Sequence, residues 1–320
     1  MVPVLYLVIP CYNEEEVLPE TSKLFLNKIK TLASAGKISD ASCILFVNDG
    51  SRDSTWDIIK GLCSEDEHYS GISLSHNRGH QNALIAGLME AAKYCDAAIS
   101  LDCDGQDDID AIDKMVAEYS DNGCEIVYGV RNDRSTDTAF KRTTAQGYYK
   151  FLQGMGVDII PDHADYRLMS SRVIRAFAGY TEVNVFLRGV VPQMGFKHAV
   201  VYYSRAERIA GKTHYPLGKM LALAIDGITS FSVKPLRFIT LLGFVFAILS
   251  VIGIIYSIIS FAVGSTVPGW TSTACIMFFL GGVQMVSLGI IGEYIGKIYL
   301  ETKRRPRYII EERLNLEDDE

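Results

Sequence analysis

At 320 residues the chain has room for a sizeable core and two structural units, and its formal net charge of −7 argues against nucleic acid as a partner. Mean hydropathy is +0.14, high for a soluble enzyme, with the apolar excess concentrated towards the C-terminus. Seven cysteines without CxxC spacing read as buried thiols of a reducing compartment, and six histidines without a cluster argue against zinc.

In chain order, the apolar run Leu5 to Ile9 reads as a strand; it lacks a basic flank and is cut short by Pro10, so no signal peptide is expected. The loop Pro10-Cys11-Tyr12-Asn13-Glu14 follows, and then Val17, Leu18, Phe25, Ile29 and Leu32 at helical spacing. A strand at Ile44 to Val47 leads into Asn48-Asp49-Gly50-Ser51 and a helix carrying Trp56, Ile59 and Leu62. Further strands are expected at Ile72 to Leu74, Ala97 to Leu101 and Ile126 to Tyr128. This alternation predicts an α/β domain with a mostly parallel sheet and covering helices, its polar loops gathered on one edge. His76 and His80 flank a loop on that edge and read more simply as structural histidines than as substrate contacts.

Directly after the strand at Ala97 comes Asp102-Cys103-Asp104-Gly105-Gln106. Two carboxylates one residue apart at a strand's carboxyl end place hard oxygen ligands where open α/β sheets bind substrates. A divalent cation there would neutralise a diphosphate leaving group. The alternative is that the acidic run to Asp110 merely ends a strand and caps a helix.

No GxGxxG follows any strand, and the nearest P-loop match, Ala206 to Thr213, lacks its first glycine and meets Pro216, which obstructs the helix a P-loop needs. Phosphate is then left to a metal and to basic side chains. Residues 1–204 carry a net charge of −9, whereas 205–237 hold six Lys/Arg against two acids, a basic belt that includes Arg205, Arg208 and Lys212. Within it, Leu217 to Phe231 is amphipathic, suited to a membrane surface or to ordinary packing.

Two charge-free runs follow, Phe238 to Val263 and Trp270 to Gly292, each beyond the roughly 18 residues that mark a transmembrane helix. Lys234 and Arg237 precede the pair and Lys297, Lys303, Arg304, Arg305 and Arg307 follow it, so the positive-inside rule puts both ends in the cytoplasm. Gly281, Gly282, Gly289, Gly292 and Gly296 permit close helix approach and make a homo-oligomer plausible. The acidic end, Glu311 to Glu320, reads as frayed.

Val8 to Glu15, Val47 to Asp53 and Asp102 to Gln106, in that order, resemble the signature of family 2 glycosyltransferases, whose domain has the GT-A (Rossmann-like) fold. Ala164 to Met169, Phe186 to Gly189 and Arg208 to Pro216, with the two-span tail, resemble the polyprenyl-phosphate group of bactoprenol glucosyltransferases and dolichol-phosphate mannosyltransferases. His214 departs from the lysine expected there. A processive polysaccharide synthase is disfavoured by the missing QxxRW motif and the small number of spans.

The resemblance implies a cytosolic GT-A domain over 1–210, an amphipathic juxtamembrane segment over 211–237, a two-helix hairpin over 238–298 and a basic then acidic tail over 299–320 of a bacterial plasma-membrane protein. It implies that Pro10, Tyr12, Glu14, Asp49 and Asp102 hold the nucleotide, and that Asp104 and Gln106 hold Mg2+ or Mn2+, with Asp104 at the reaction centre. Arg131, Arg142, Arg167, Arg208 and Lys212 become candidate clamps for the acceptor phosphate. Asp165 would orient Arg167, bind sugar or act as a base. The implied reaction is inverting transfer of one sugar to polyprenyl phosphate, from UDP-glucose or alternatively from GDP-mannose, UDP-N-acetylglucosamine or a modified sugar. A noncatalytic membrane protein that binds nucleotide sugars is the competing class.

Overall fold

A computed structural model describes residues 2–131, 163–180, 182, 187–204, 234–263 and 269–316. The chain divides into two compact units, one built on a sheet and including the residues after 304, the other helical.

The sheet unit opens with β1 (Leu5–Cys11), α1 (Leu18–Ser34), β2 (Cys43–Asn48), α2 (Thr55–Glu65), β3 (Tyr69–Leu74), α3 (His80–Ala91), β4 (Ala97–Ser100), α4 (Ala111–Ser120) and β5 (Ile126–Arg131). It continues with β6 (His163–Ser170), α5 (Ser171–Phe177), α6 (Leu187–Gln193), β7 (His198–Tyr203) and, after the helical unit, β8 (Ile310–Leu314). The eight strands lie in the order β7-β5-β6-β4-β1-β2-β3-β8. Strands β1 to β4 are mutually parallel, as are β5 and β7, while β6 is antiparallel to both its neighbours and β8 to β3.

Every side chain of β1 is buried, because helices cover both faces. Leu5, Leu7 and Ile9 join Phe25, Ile29, Leu32, Ile59, Ile112 and Met115 of α1, α2 and α4 in one core. On the opposite face α3 lies so close that a Cβ on Gly87 would stand 2.5 Å from Val8 Cγ1 and 2.6 Å from Val47 Cγ2. The strands expected from the sequence are all present, each within a few residues of its expected ends. Chain order reverses on either side of β1, which makes the β1/β4 crevice a topological switch point. Six cysteines, Cys11, Cys43, Cys63, Cys95, Cys103 and Cys124, are buried free thiols, as expected.

The C-terminal segment corrects an expectation. It is not a frayed tail from 311, because β8 completes the sheet against β3. Glu312 accepts from Trp56 Nε1 at 2.9 Å, Arg313 Nε reaches the buried Glu90 at 3.2 Å, and Asn315 Nδ2 donates to the Cys63 and Tyr69 carbonyls at 2.8 Å each. Alternating charge hid a strand whose inward side chains, Ile310 and Leu314, are its apolar ones.

The helical unit holds α7 (Lys234–Ala262) and α8 (Trp270–Thr302), both longer than the charge-free runs that announce them. Among the described residues the stretches Lys234–Gly253 and Phe279–Thr302, with mean hydropathies of 2.2 and 1.3, are long and apolar enough to cross a membrane. Neither stretch is buried within the protein. Phe246 and Phe279 meet edge to face at 5.8 Å between the two helices. The amphipathic segment 217–231 lies outside the described residues.

Candidate active site

The parallel register brings the three motif loops to one sheet edge. After β1, Asn13 takes a left-handed conformation (φ 55°), which Asn tolerates better than most residues. Its side-chain oxygen accepts from Arg52 N at 2.9 Å and its own N–H donates to Ser51 Oγ at 3.1 Å. Glu14 N donates to Thr55 Oγ1 at 2.9 Å, so the loops after β1 and β2 form one body. Pro10 lies within the buried run of β1, which ends at Cys11, and Tyr12 is exposed beyond it.

Asp49 is buried beneath this surface and accepts from Arg78 N at 2.6 Å and Gly79 N at 2.9 Å. Burial raises its pKa, and these two hydrogen bonds offset that only in part. Gly50 (φ 63°) is obligatory, since a Cβ there would stand 2.6 Å from Asn77 N. Asp49 therefore has a structural duty, bracing the loop that carries His80 into α3, beside any contact with a nucleotide.

The acidic loop after β4 turns at Gly105 (φ 65°), with Asp104 Oδ1 accepting from Gln106 N at 3.1 Å. Asp102 stands at the mouth, its carboxylate 3.7 Å from His80 Nε2. Burial raises its pKa; His80 opposes the shift, and the negative charges of Asp107, Asp104 and Asp165 add to it. Among the described residues no three His, Cys, Asp or Glu side chains converge as a closed metal cage. The donors at hand are carboxylates and a carboxamide on one turn, a set that suits a hard cation completed by diphosphate oxygens and water. These residues fit a divalent cation such as Mg2+ or Mn2+, for which Asp104 and Gln106 are the candidate protein ligands.

Beside this loop, on the strand paired with β4, β6 carries Asp165 and Arg167. Arg188, from α6, meets Asp165 through two nitrogens, Nε to Oδ1 at 3.2 Å and Nη2 to Oδ2 at 2.9 Å. Arg167 Nη2 donates to Asp165 Oδ1 at 2.7 Å and Nη1 to the Leu187 carbonyl at 3.4 Å. Burial alone would raise the Asp165 pKa, but the Arg188 and Arg167 guanidiniums outweigh it and hold the carboxyl well below the usual carboxylate range. His80 Nε2 is 3.8 Å from Asp165 Oδ2, so one imidazole stands within 4 Å of the Asp102 carboxylate on the loop and of the Asp165 carboxylate on β6.

Arg167, a candidate clamp for the acceptor phosphate, has a side chain that is 0% exposed and lies behind Asp165. Arg188, 37% exposed, fronts the same carboxylate. Asp165, flanked by two guanidiniums, is a poor base and a good holder of arginines. Arg131, at the end of β5, donates to Tyr203 Oη at 3.4 Å on the flank of the acidic loop. Arg142, Arg208 and Lys212 lie outside the described residues. Arg188 was missed as a site residue although its motif segment was legible, because an arginine's partner is fixed only when α6 packs beside β6. His80 was read as structural, and its place near both carboxylates emerges only from the sheet order.

Residues 6–177 match the glycosyl transferase family 2 domain, and residues 234–298 match the GtrB C-terminal hairpin. An uncharacterized glycosyltransferase of Bacillus subtilis, YkoT, is 50% identical over 309 residues, covering 97% of this chain and 91% of that protein. The prophage bactoprenol glucosyl transferase homolog of Escherichia coli is 39% identical over 306 residues, covering 95% of this chain and 97% of that protein. Among solved structures, glucosyl-3-phosphoglycerate synthase of Mycobacterium tuberculosis, crystallised with Mn2+, UDP and phosphoglyceric acid, superposes with a TM-score of 0.45 at 17% identity, covering 71% of this chain and 76% of that one.

Proposed function

The chain belongs to glycosyl transferase family 2, and from that premise we propose that it transfers a single glucose from UDP-glucose to polyprenyl phosphate, with inversion, at the cytoplasmic face of a bacterial plasma membrane. The observation that carries the reading is the meeting of two chemically distinct groups at one sheet edge, at the ends of the paired strands β4 and β6. The Asp102 to Gln106 loop offers hard oxygen ligands; the Asp165–Arg188 pair offers an anchored cation, with His80 3.7 and 3.8 Å from the two carboxylates. A nucleotide diphosphate needs the first and an anionic acceptor the second.

Pro10, Tyr12, Glu14, Asp49 and Asp102 border the nucleotide. Asp104 and Gln106 hold Mg2+ or Mn2+, which when bound supplies positive charge to the departing diphosphate. A lipid phosphate has a second pKa of about 6 and is largely dianionic at neutral pH, so its oxygen attacks the anomeric carbon without a strong base. The harder requirement is to bring two anions together. Arg188 and Arg131, with Arg142, Arg208 and Lys212, meet it by binding and orienting the acceptor phosphate. Asp165 fixes the Arg188 fork, with Arg167 behind it.

The two apolar helices and the hairpin match support attachment to the membrane where such a lipid resides. The basic residues flanking the pair support cytoplasmic ends.

The test is to incubate the detergent-purified chain with Mn2+, polyprenyl phosphate and radiolabelled UDP-glucose, GDP-mannose or UDP-N-acetylglucosamine, and to extract the lipid. Label from UDP-glucose, lost in Asp104→Ala, is expected. Label from another donor would overturn the sugar assignment. Folded protein that transfers none of them would overturn transfer itself in favour of nucleotide-sugar binding alone.

A further inference from the structure

Two tyrosines with no role in the reaction described above grip the acidic loop from behind. Tyr203, the last residue of β7, donates its hydroxyl to Asp107 Oδ1 at 2.7 Å. Tyr166, between Asp165 and Arg167 on β6, donates its own to the Asp108 carbonyl at 3.0 Å. Consecutive loop residues, one and two beyond Gln106, are thus pinned by two separate strands. The rings meet edge to face, 5.1 Å between centroids at 83°, so neither hydroxyl can move far without the other.

Both tyrosines and Asp107 are buried. A carboxylate taken from water is costly unless hydrogen-bonded, and a short bond to a phenol is the charge-assisted kind that offsets the loss. Burial and the neighbouring Asp107 push the Tyr203 phenol well up, so it remains a donor across the physiological range.

The Tyr203 hydroxyl has a second partner. Arg131 Nε donates to it at 3.4 Å, and Arg131 and Tyr203 are opposite one another in the parallel β5/β7 register. The Asp107–Tyr203–Arg131 chain therefore runs from the loop that carries Asp104 and Gln106 to an arginine on the acceptor side. It also joins the roots of the two stretches that contain Arg142 and Arg208.

We propose that Tyr203 is a positioning residue that, with Tyr166, holds the acidic loop in its metal-accepting form and links metal occupancy to the placement of Arg131 against the acceptor phosphate. This rests on the transferase reading above. β6 then serves both sides of the crevice: Asp165 and Arg167 point one way along it and Tyr166 the other, as alternate residues of a strand must.

The test uses the full chain in detergent with Tyr203→Phe, which keeps the ring and removes only the hydroxyl. Mn2+ binding is read by electron paramagnetic resonance with UDP present, with and without polyprenyl phosphate; KM for the lipid and kcat are measured separately. For the variant we expect Mn2+ affinity about tenfold weaker, a raised lipid KM, and loss of the tightening of Mn2+ binding that the lipid gives the wild type. A melting temperature within a few degrees of wild type would separate this from unfolding. Wild-type Mn2+ affinity and lipid KM in folded Tyr203→Phe would overturn the proposal while leaving the transferase reading intact. Should Tyr203→Phe not fold, Tyr166→Phe carries the same test, and unchanged Mn2+ binding there overturns it. A wild type that neither binds Mn2+ with UDP nor labels lipid would instead sink the transferase reading, and this inference with it.

Discussion

Asp165 is held by two guanidiniums, and the sign of its shift makes a prediction. Its folded pKa lies below the unfolded value of about 3.9, so its contribution to stability is fully present above that value and is lost as pH falls through the folded pKa. The melting-temperature gap between wild type and Asp165→Asn should stay constant from about pH 5 to 8 and close below about pH 4. A gap that closes near neutrality would mean that the charge is not held in this way. In the transfer assay Arg188→Ala should lower kcat/KM for the lipid on the order of a hundredfold, since it removes the cation at the front of the crevice. A variant retaining wild-type kcat/KM would displace Arg188 from acceptor binding. The acidic motif around Asp104 was legible because ligand chemistry resides in residue type and spacing. The Asp165–Arg188 pairing was not, because its partners are 23 positions apart on different elements.

The strands up to β5 and the helices α1 and α2 were legible because the strands are short apolar runs and the helices keep an apolar period in the sequence. β8 was not: Ile310-Glu311-Glu312-Arg313-Leu314 reads as a charged tail until β3 offers it an edge and Glu90 offers Arg313 a buried partner. Arg313→Ala should therefore destabilise the sheet unit by about 1–3 kcal/mol, because among the described residues it leaves Glu90 with Lys93 alone as its counter-charge. Chemical denaturation would read this, and a change within about 0.5 kcal/mol would show the strand to be an ornament. Gly87→Ala should cost a similar amount, about 1–3 kcal/mol, by driving α3 off Val8 and Val47. The same denaturation curve measures it.

At the scale of the molecule, a sheet unit with a polar crevice and a helical unit with lipid-length apolar surfaces belong to one chain. The protein should resist extraction from membranes by alkaline carbonate, whereas deletion of 234–304 with a short linker joining the flanks should release it. A hairpin-deleted chain that still sediments with membranes would shift the anchor to the basic belt. The sequence by itself determined the alternation that makes a parallel sheet, the three loops that share an edge, the two apolar runs and the family resemblance. These are encoded in composition, period and short-range spacing, which folding leaves unchanged. Only the tertiary structure decided that Arg167 is buried behind Asp165, that His80 stands within 4 Å of both Asp102 and Asp165, that Tyr203 ties Asp107 to Arg131, and that the last strand returns to the sheet. Each of these depends on which elements become neighbours, and that is settled by packing between residues far apart in the chain.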